Sequence, residues 1–319
     1  MRFATYDHDG RERAGVLDGD LICPLPEGVA VRDLIEAGVL QAVGTAALAG
    51  GAERVPVEQV RLLPPLRPAS IRDFVAFEAH IEGVVRAQEK LKAVPPAWYE
   101  APAFYFTNPH AAVGAHDDVP MFPGAQEFDF EIEVGAVIGK PGYNLPSEQA
   151  REHIIGYTIF NDWSARDIQR QEARLPFGFA KGKDGAHTLG PVLVTADELE
   201  PYRMADGYLD LTMTVELNGV VLSKDSLASM AWRFEELIAY ASRGTWVMPG
   251  DILASGTCGG GCLAELWGRR GVKDPAPLKP GDVVTLTVEG IGTISNRVAE
   301  PVEAVPLPPA RTRDRGVRH

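Results

Sequence analysis

The chain has 319 residues, 45% hydrophobic and 24% charged, enough for a self-sufficient core and for one large domain or two of unequal size. Acidic residues outnumber basic ones 44 to 31, and the net charge of −13 repels phosphate backbones and anionic lipid, which argues against nucleic acid or membrane partners. Only three cysteines, no long apolar run and an N-terminus that breaks into charge too soon for a signal peptide point to a reducing cytoplasm.

In chain order, residues 2–6 and 15–24 read as strands around the turn His8-Asp9-Gly10, and residues 32–43 as a short helix ending near Gly44. Three prolines in residues 62–68 stiffen the chain. The expected organisation is a small N-terminal α+β domain over residues 1–66, a main domain over 67–305 and a disordered basic tail over 306–319. Residues 77–91 place apolar or small side chains at helical spacing; with residues 92–99, rich in proline and aromatics, they read as a lid over substrate. Residues 128–137 alternate between acidic and apolar, a strand period. Residues 209–217 alternate too and run into Asn218-Gly219, the signature of a type I′ hairpin. Pro-Gly-Asp occurs at 249–251 and again at 280–282, each time opening an apolar strand. Residues 226–243 read as an amphipathic helix that stops before Gly244. The sum is a β-rich α+β fold.

The chemistry lies in the acids. Asp129, Glu131 and Glu133 are two apart, so on a continuous strand they share one face. Carboxylates that close repel unless water screens them or a cation neutralises them, so a solvated strand face and a cation site both fit. Asp162 stands where a strand pattern turns, as a cap or a ligand. Asp73 precedes a predicted helix bearing His80, and by position alone it is an N-cap. Carboxylates with no Cys or His among them suit Mg²⁺, Mn²⁺ or Ca²⁺ rather than Zn²⁺. Cys258 and Cys262 lack a second ligand pair at matching spacing and make no zinc motif.

Five motifs occur together: Asp129-Phe130-Glu131-Ile132-Glu133, Asn161-Asp162-Trp163-Ser164-Ala165-Arg166-Asp167-Ile168-Gln169, Ala180-Lys181-Gly182-Lys183-Asp184, Leu189-Gly190-Pro191 and Ser255-Gly256-Thr257. With them the chain resembles the fumarylacetoacetate hydrolase family from about Arg72 to Val298. The resemblance implies a mixed β-sandwich roll catalytic domain behind a small N-terminal domain, usually as a homodimer. It implies a divalent metal on Glu131, Glu133 and Asp162, with Asp73 as a fourth ligand and His80, seven residues on, as the catalytic histidine. Glu265, in Leu263-Ala264-Glu265-Leu266, resembles the partner of that histidine. Lys181, ten residues before Pro191, is preferred to Lys183 as the active-site lysine. The chain departs from the family at Val75 and Ala173, where the named branch has tyrosines, and at Asn108, where many relatives have lysine. It departs again at Gly83, where the acylpyruvase branch has a glutamate.

The expected reaction is hydrolytic C–C cleavage of a small 1,3-diketo acid, with Mg²⁺ or Mn²⁺ stabilising the enolate that leaves. His80 takes a proton from water, because an imidazole can do so near neutral pH, and Glu265 orients it. Lys181 supplies positive charge, Gln169 and Thr257 hydrogen bonds, and Phe77 an aromatic contact to substrate. Decarboxylation, tautomerisation or isomerisation of a 2-oxo acid on the same metal platform is the alternative.

Overall fold

Two sheets organise the chain, and the larger one carries the site. A computed structural model describes residues 1–86, 93–175, 178 and 180–311. The main path of the 13-stranded sheet runs Val55–Pro56, Leu21–Pro24, Arg11–Asp18, Arg2–His8, Leu193–Thr195, Ile154–Asp162, Ile132–Ile138, Ile252–Ala254, Ile71–Phe74 and Phe104–Thr107. His187–Leu189 joins it beside Ile154–Asp162. A five-stranded sheet takes the order Val220–Ser226, Thr212–Leu217, Val283–Val288, Gly292–Ala299 and Val119–Pro120. The fold is strand-rich α+β, as expected. The N-terminal strands extend the large sheet: Arg2 and Phe3 pair with Val194 and Leu193.

The strand Ile132–Ile138 is buried along its whole length. Val134, Ala136 and Ile138 pack into one apolar cluster, while Val137 packs with Phe160, Leu193 and Ile252 in a second on the opposite face. Period-two alternation therefore does not mark a wet face here, because both faces of this strand are covered.

Turns followed local chemistry closely. Asn218 (φ 53°) and Gly219 (φ 77°) both take the left-handed conformation that a type I′ hairpin needs. In each Pro-Gly-Asp the glycine has positive φ, 86° at Gly250 and 92° at Gly281. Each aspartate then accepts from the backbone N–H three residues back: Asp251 from Met248 and Asp282 from Lys279, both at 2.9 Å.

Helices and longer strands were broken more often than the pattern suggested. Residues 15–24 form two strands, parted at Gly19 (φ 61°), and the helix expected over 32–43 is split into Val31–Glu36 and Leu40–Ala49, parted at Gly38 (φ 68°), with Gly44 inside the second rather than at its end. Of residues 226–243 only Phe234–Ala241 is α-helical. Its start is fixed by Glu236, whose carboxylate accepts from the Arg233 N–H at 2.6 Å. The acidic strand stops at Phe128–Asp129 and resumes at Ile132. Asp129 Oδ1 accepts from the Phe130 N–H (2.8 Å) and Asn161 Oδ1 from the Glu131 N–H (2.9 Å), so side chains replace ladder partners there. The lid expected over residues 77–99 begins as the helix Glu78–Arg86 and ends in the turn Pro96–Tyr99, while residues 87–92 lie outside the described residues. Residues 300–311 carry no helix or strand, and the rest of the expected tail lies beyond the described residues. Among the described residues no helix is long and apolar enough to cross a membrane.

Gly256, in Ser255-Gly256-Thr257, has φ 80°, and a Cβ there would lie 2.4 Å from the Phe74 carbonyl oxygen. Gly256→Ala should therefore cost at least about 2 kcal/mol of unfolding free energy, from strained φ and the clash together. Urea denaturation checks this; a loss below about 0.5 kcal/mol would contradict the close approach.

Candidate active site

Register assembles the site along one line across the large sheet. Asp162 pairs with His187, Glu133 with Phe160, Gly135 with Ala254, Ala254 with Asp73, and Asp73 with Tyr105. Asp73 thus lies in the strand Ile71–Phe74 rather than at a helix start, and its carboxyl joins the acids instead of capping. Tyr105 O–H touches both Asp73 Oδ2 (2.7 Å) and Asp162 Oδ2. Glu133 accepts from the Gly256 N–H (3.0 Å) and the Thr257 hydroxyl (3.3 Å). Thr257 is therefore engaged with an acid in this structure, as Gln169 is with Arg166.

Asp73, Asp129, Glu131, Glu133 and Asp162 are all buried. Two permanent cations lie among them. Arg166 donates to Asp129 Oδ2 (2.8 Å), Glu131 Oε1 (2.6 Å) and Gln169 Oε1 (3.2 Å). Lys183, 3% exposed, donates to Glu131 Oε2 (2.6 Å) and Asp162 Oδ2. Burial alone would push every carboxyl up. At Glu131 it is outweighed by Arg166 and Lys183, and at Asp162 by Lys183 and His187, so both carboxyls lie below the usual range. Asp73 and Glu133 lack such cover. Burial first and neighbouring acids second raise both well above it. Asp162 Oδ1 is buried, with His187 Nδ1 3.2 Å away. An all-oxygen donor set and a surplus of buried carboxylates together fit a hard divalent cation.

His80 sits on the helix Glu78–Arg86, with Nδ1 3.4 Å from Glu265 Oε2 and Nε2 4.0 Å from Glu131 Oε1. Glu265 is fully buried on the helix Leu263–Arg270, and its Oε1 accepts from Arg269 Nε at 2.9 Å. Arg269 also donates to the Ala79 carbonyl (3.0 Å), which ties the two helices together. Asp129 sets that helix in place, since its carboxylate accepts from the Leu263 and Ala264 N–H groups at 2.8 and 2.9 Å. A Cβ at Gly83 would lie 2.2 Å from Glu265 Cγ. The glycine makes the room that Glu265 fills.

Two expected site residues are not brought to the acids. Lys181 points to solvent and pairs with Asp184, its side chain 62% exposed. Both lysines lie in one 3₁₀ turn, Lys181–Lys183, where residues two apart face different sides, so only Lys183 enters the cluster. Phe77 is fully buried in the apolar cluster and offers no surface to a ligand. Conversely, Arg166 and Tyr105 were not singled out. Arg166 lies four residues after Asp162 in the same motif, and its charge between Asp162 and Asp167 was the available signal. Asn108 makes a local cap, accepting from the His110 N–H at 3.0 Å. A surface cleft of about 410 Å³ contains none of these groups; its Arg151 and Arg203 pair with its own Glu200.

Residues 69–299 match the family model described as fumarylacetoacetate (FAA) hydrolase C-terminal, and residues 1–65 one described as Rv2993c-like, N-terminal. The mitochondrial oxaloacetate tautomerase FAHD2A of Homo sapiens is 34% identical over 186 residues, which are 58% of this chain and 55% of that protein. The match therefore spans about half of that relative's length. The structure of a fumarylacetoacetate hydrolase from Exiguobacterium antarcticum superposes with TM-score 0.75 at 28% identity, covering 94% of this chain and 99% of that one. That of 5-carboxymethyl-2-hydroxymuconate delta-isomerase from Mycobacterium smegmatis gives 0.69 at 25%, covering 94% and 100%.

The acids predict a pH-dependent response to metal. Asp73 and Glu133 are raised in the folded state, so the stability they contribute is full below the unfolded carboxyl pKa and lost as pH rises through the folded one. Glu131 and Asp162 have the opposite sign, and their contribution is lost only in acid. A cation offsets the charge that rising pH creates. The rise in Tm on adding Mg²⁺ or Mn²⁺ against EDTA should grow between about pH 5.5 and about pH 8. A rise that shrinks over this range would contradict it.

Proposed function

The chain belongs to the fumarylacetoacetate hydrolase family, and from that premise we propose that it is a metal-dependent hydrolase of a small 1,3-diketo acid, acylpyruvate-like or fumarylacetoacetate-like. The observation that carries the reading is the buried contact of His80 with Glu265 beside the acids. Asp73, Glu131, Glu133 and Asp162 would hold Mg²⁺ or Mn²⁺ (Ca²⁺ fits the same donors). When bound, the ion would supply Lewis acidity toward the substrate's carboxylate–ketone end and the enolate charge of the leaving fragment. His80, with Nδ1 turned to Glu265, has Nε2 free to take a proton from water. The water oxygen adds to the far carbonyl, the C–C bond breaks, and the leaving fragment takes up a proton as its ketone. Glu265 orients the ring and stabilises the imidazolium, while Arg269 holds Glu265. Lys183 and Gln169 would stabilise the oxyanion, with Gln169 held by Arg166. A homodimer, by the family's habit, is part of the proposal.

Tautomerisation of a 2-oxo acid is the second reading, favoured by the likeness to the human oxaloacetate tautomerase. Tautomerisation moves a proton and has no need of activated water.

In H₂¹⁸O, cleavage of an acylpyruvate should place one ¹⁸O in the released acid beyond simple carbonyl exchange. Interconverted tautomers without cleavage would point to the second reading. His80→Ala and Glu265→Gln should each lower kcat by about 10²-fold or more, with the double variant little worse, since coupled catalytic groups are non-additive. Lys183→Met should be nearly inactive and Lys181→Met close to wild type; the reverse result would restore Lys181 to the site.

A further inference from the structure

We propose that His80, Cys262 and Glu131 form a second, softer metal site that takes Zn²⁺ and thereby silences His80. Cys262 Sγ lies 3.9 Å from His80 Nδ1, and His80 Nε2 lies 4.0 Å from Glu131 Oε1. One ligand atom from each residue falls within 4.8 Å of the other two, and all three residues are buried. Tetrahedral zinc, with bonds of about 2.3 Å to sulfur and about 2.0 Å to nitrogen, sets those atoms about 3.5 Å apart. The two contacts use opposite ring nitrogens, so for zinc on one nitrogen the three ligand atoms, all within 4.8 Å of one another, close by up to about 1.3 Å, a movement of side chains alone. Thiolate, imidazole and carboxylate suit Zn²⁺ far better than Mg²⁺ or Ca²⁺, and three protein ligands leave the fourth position for water.

The spacing of Cys258 and Cys262 gave no hint of this, because the partner is a histidine 182 residues away and Cys258 takes no part. Cys262 also has no task in the hydrolytic scheme. Its Sγ caps the helix Leu263–Arg270, accepting from the Glu265 N–H at 3.4 Å, and serine preserves that cap. On binding, the thiol proton passes to solvent and the sulfur bonds zinc. Coordination of either ring nitrogen removes the lone pair with which His80 would accept a proton from water. The inhibitory half of the inference rests on the proposed role of His80; the binding half does not.

The test uses full-length protein saturated with Mg²⁺, titrated first with Co²⁺ as a spectroscopic probe and then with Zn²⁺. Wild type should show thiolate-to-cobalt charge transfer in the near ultraviolet, and Cys262→Ser should lack it. Zinc affinity should fall at least about tenfold in Cys262→Ser. Where a substrate is in hand, wild-type turnover should be lost on zinc binding, while the residual turnover of Cys262→Ser should resist the same zinc concentration. Should Cys262→Ser fail to fold by circular dichroism, His80→Gln replaces it and should lower zinc affinity likewise. Absence of a thiolate band, or equal zinc affinity in wild type and variants, would overturn the site and place zinc on the carboxylates. A thiolate-bound zinc that leaves turnover intact would overturn the inhibition. If no diketo acid is cleaved at all, the hydrolase reading fails while the band and the affinities still decide the site.

Discussion

Carboxylates repel each other, and away from water the repulsion is severe, so Asp73, Asp129, Glu131, Glu133 and Asp162 can share one end of a sheet only with compensating charge. The chain supplies part of it. Arg166 serves Asp129 and Glu131, and Lys183 serves Glu131 and Asp162. Asp73 and Glu133 lack such cover, and burial and the neighbouring acids raise both carboxyls well above the usual range; a divalent cation would supply the missing charge. The sheet's rigidity enforces this state. Six strands bring Asp73, Glu133, Asp162 and their neighbours into register, and a buried strand cannot swing its carboxylate out to water.

The same charges couple the acids to the histidine. Asp129 accepts from Arg166 on one side and from the first N–H groups of the helix Leu263–Arg270 on the other. That helix carries Glu265, which meets His80. Displacing any of these would move the dyad and the cation site together. Gly83 belongs to the same design, since a larger residue there would meet Glu265. A glutamate at this helical position and a glutamate at 265 therefore compete for one space beside the histidine. This explains in steric terms why the chain departs from the acylpyruvase pattern.

Much of this was legible where the cause is local. Asn218-Gly219 and both Pro-Gly-Asp turns follow from backbone preferences that act over three or four residues. The acids were legible as a group because mutual repulsion demands explanation wherever they stand. Their exact arrangement was not, because Asp129 and Asn161 bond the backbone and break the strand between Asp129 and Ile132. Asp73 could be told from an N-cap only by the strand pairing of Ala254 with Asp73. The contact of His80 with Glu265, 185 residues apart, had a chemical motive in the sequence but no geometric one. The choice between Lys181 and Lys183 turned on the rotation of a single 3₁₀ turn, which spacing to Pro191 does not encode.

The central claim is that these buried acids exist to hold one divalent cation. Anomalous diffraction from crystals soaked in Mn²⁺ tests it most directly, because it locates the ion without reference to activity. The account predicts one strong peak among Asp73, Glu131, Glu133 and Asp162, with the Lys183 ammonium moved off the carboxylates that it bridges here. A saturating soak that leaves this cluster without a peak, with Lys183 still bridging Glu131 and Asp162, would contradict it.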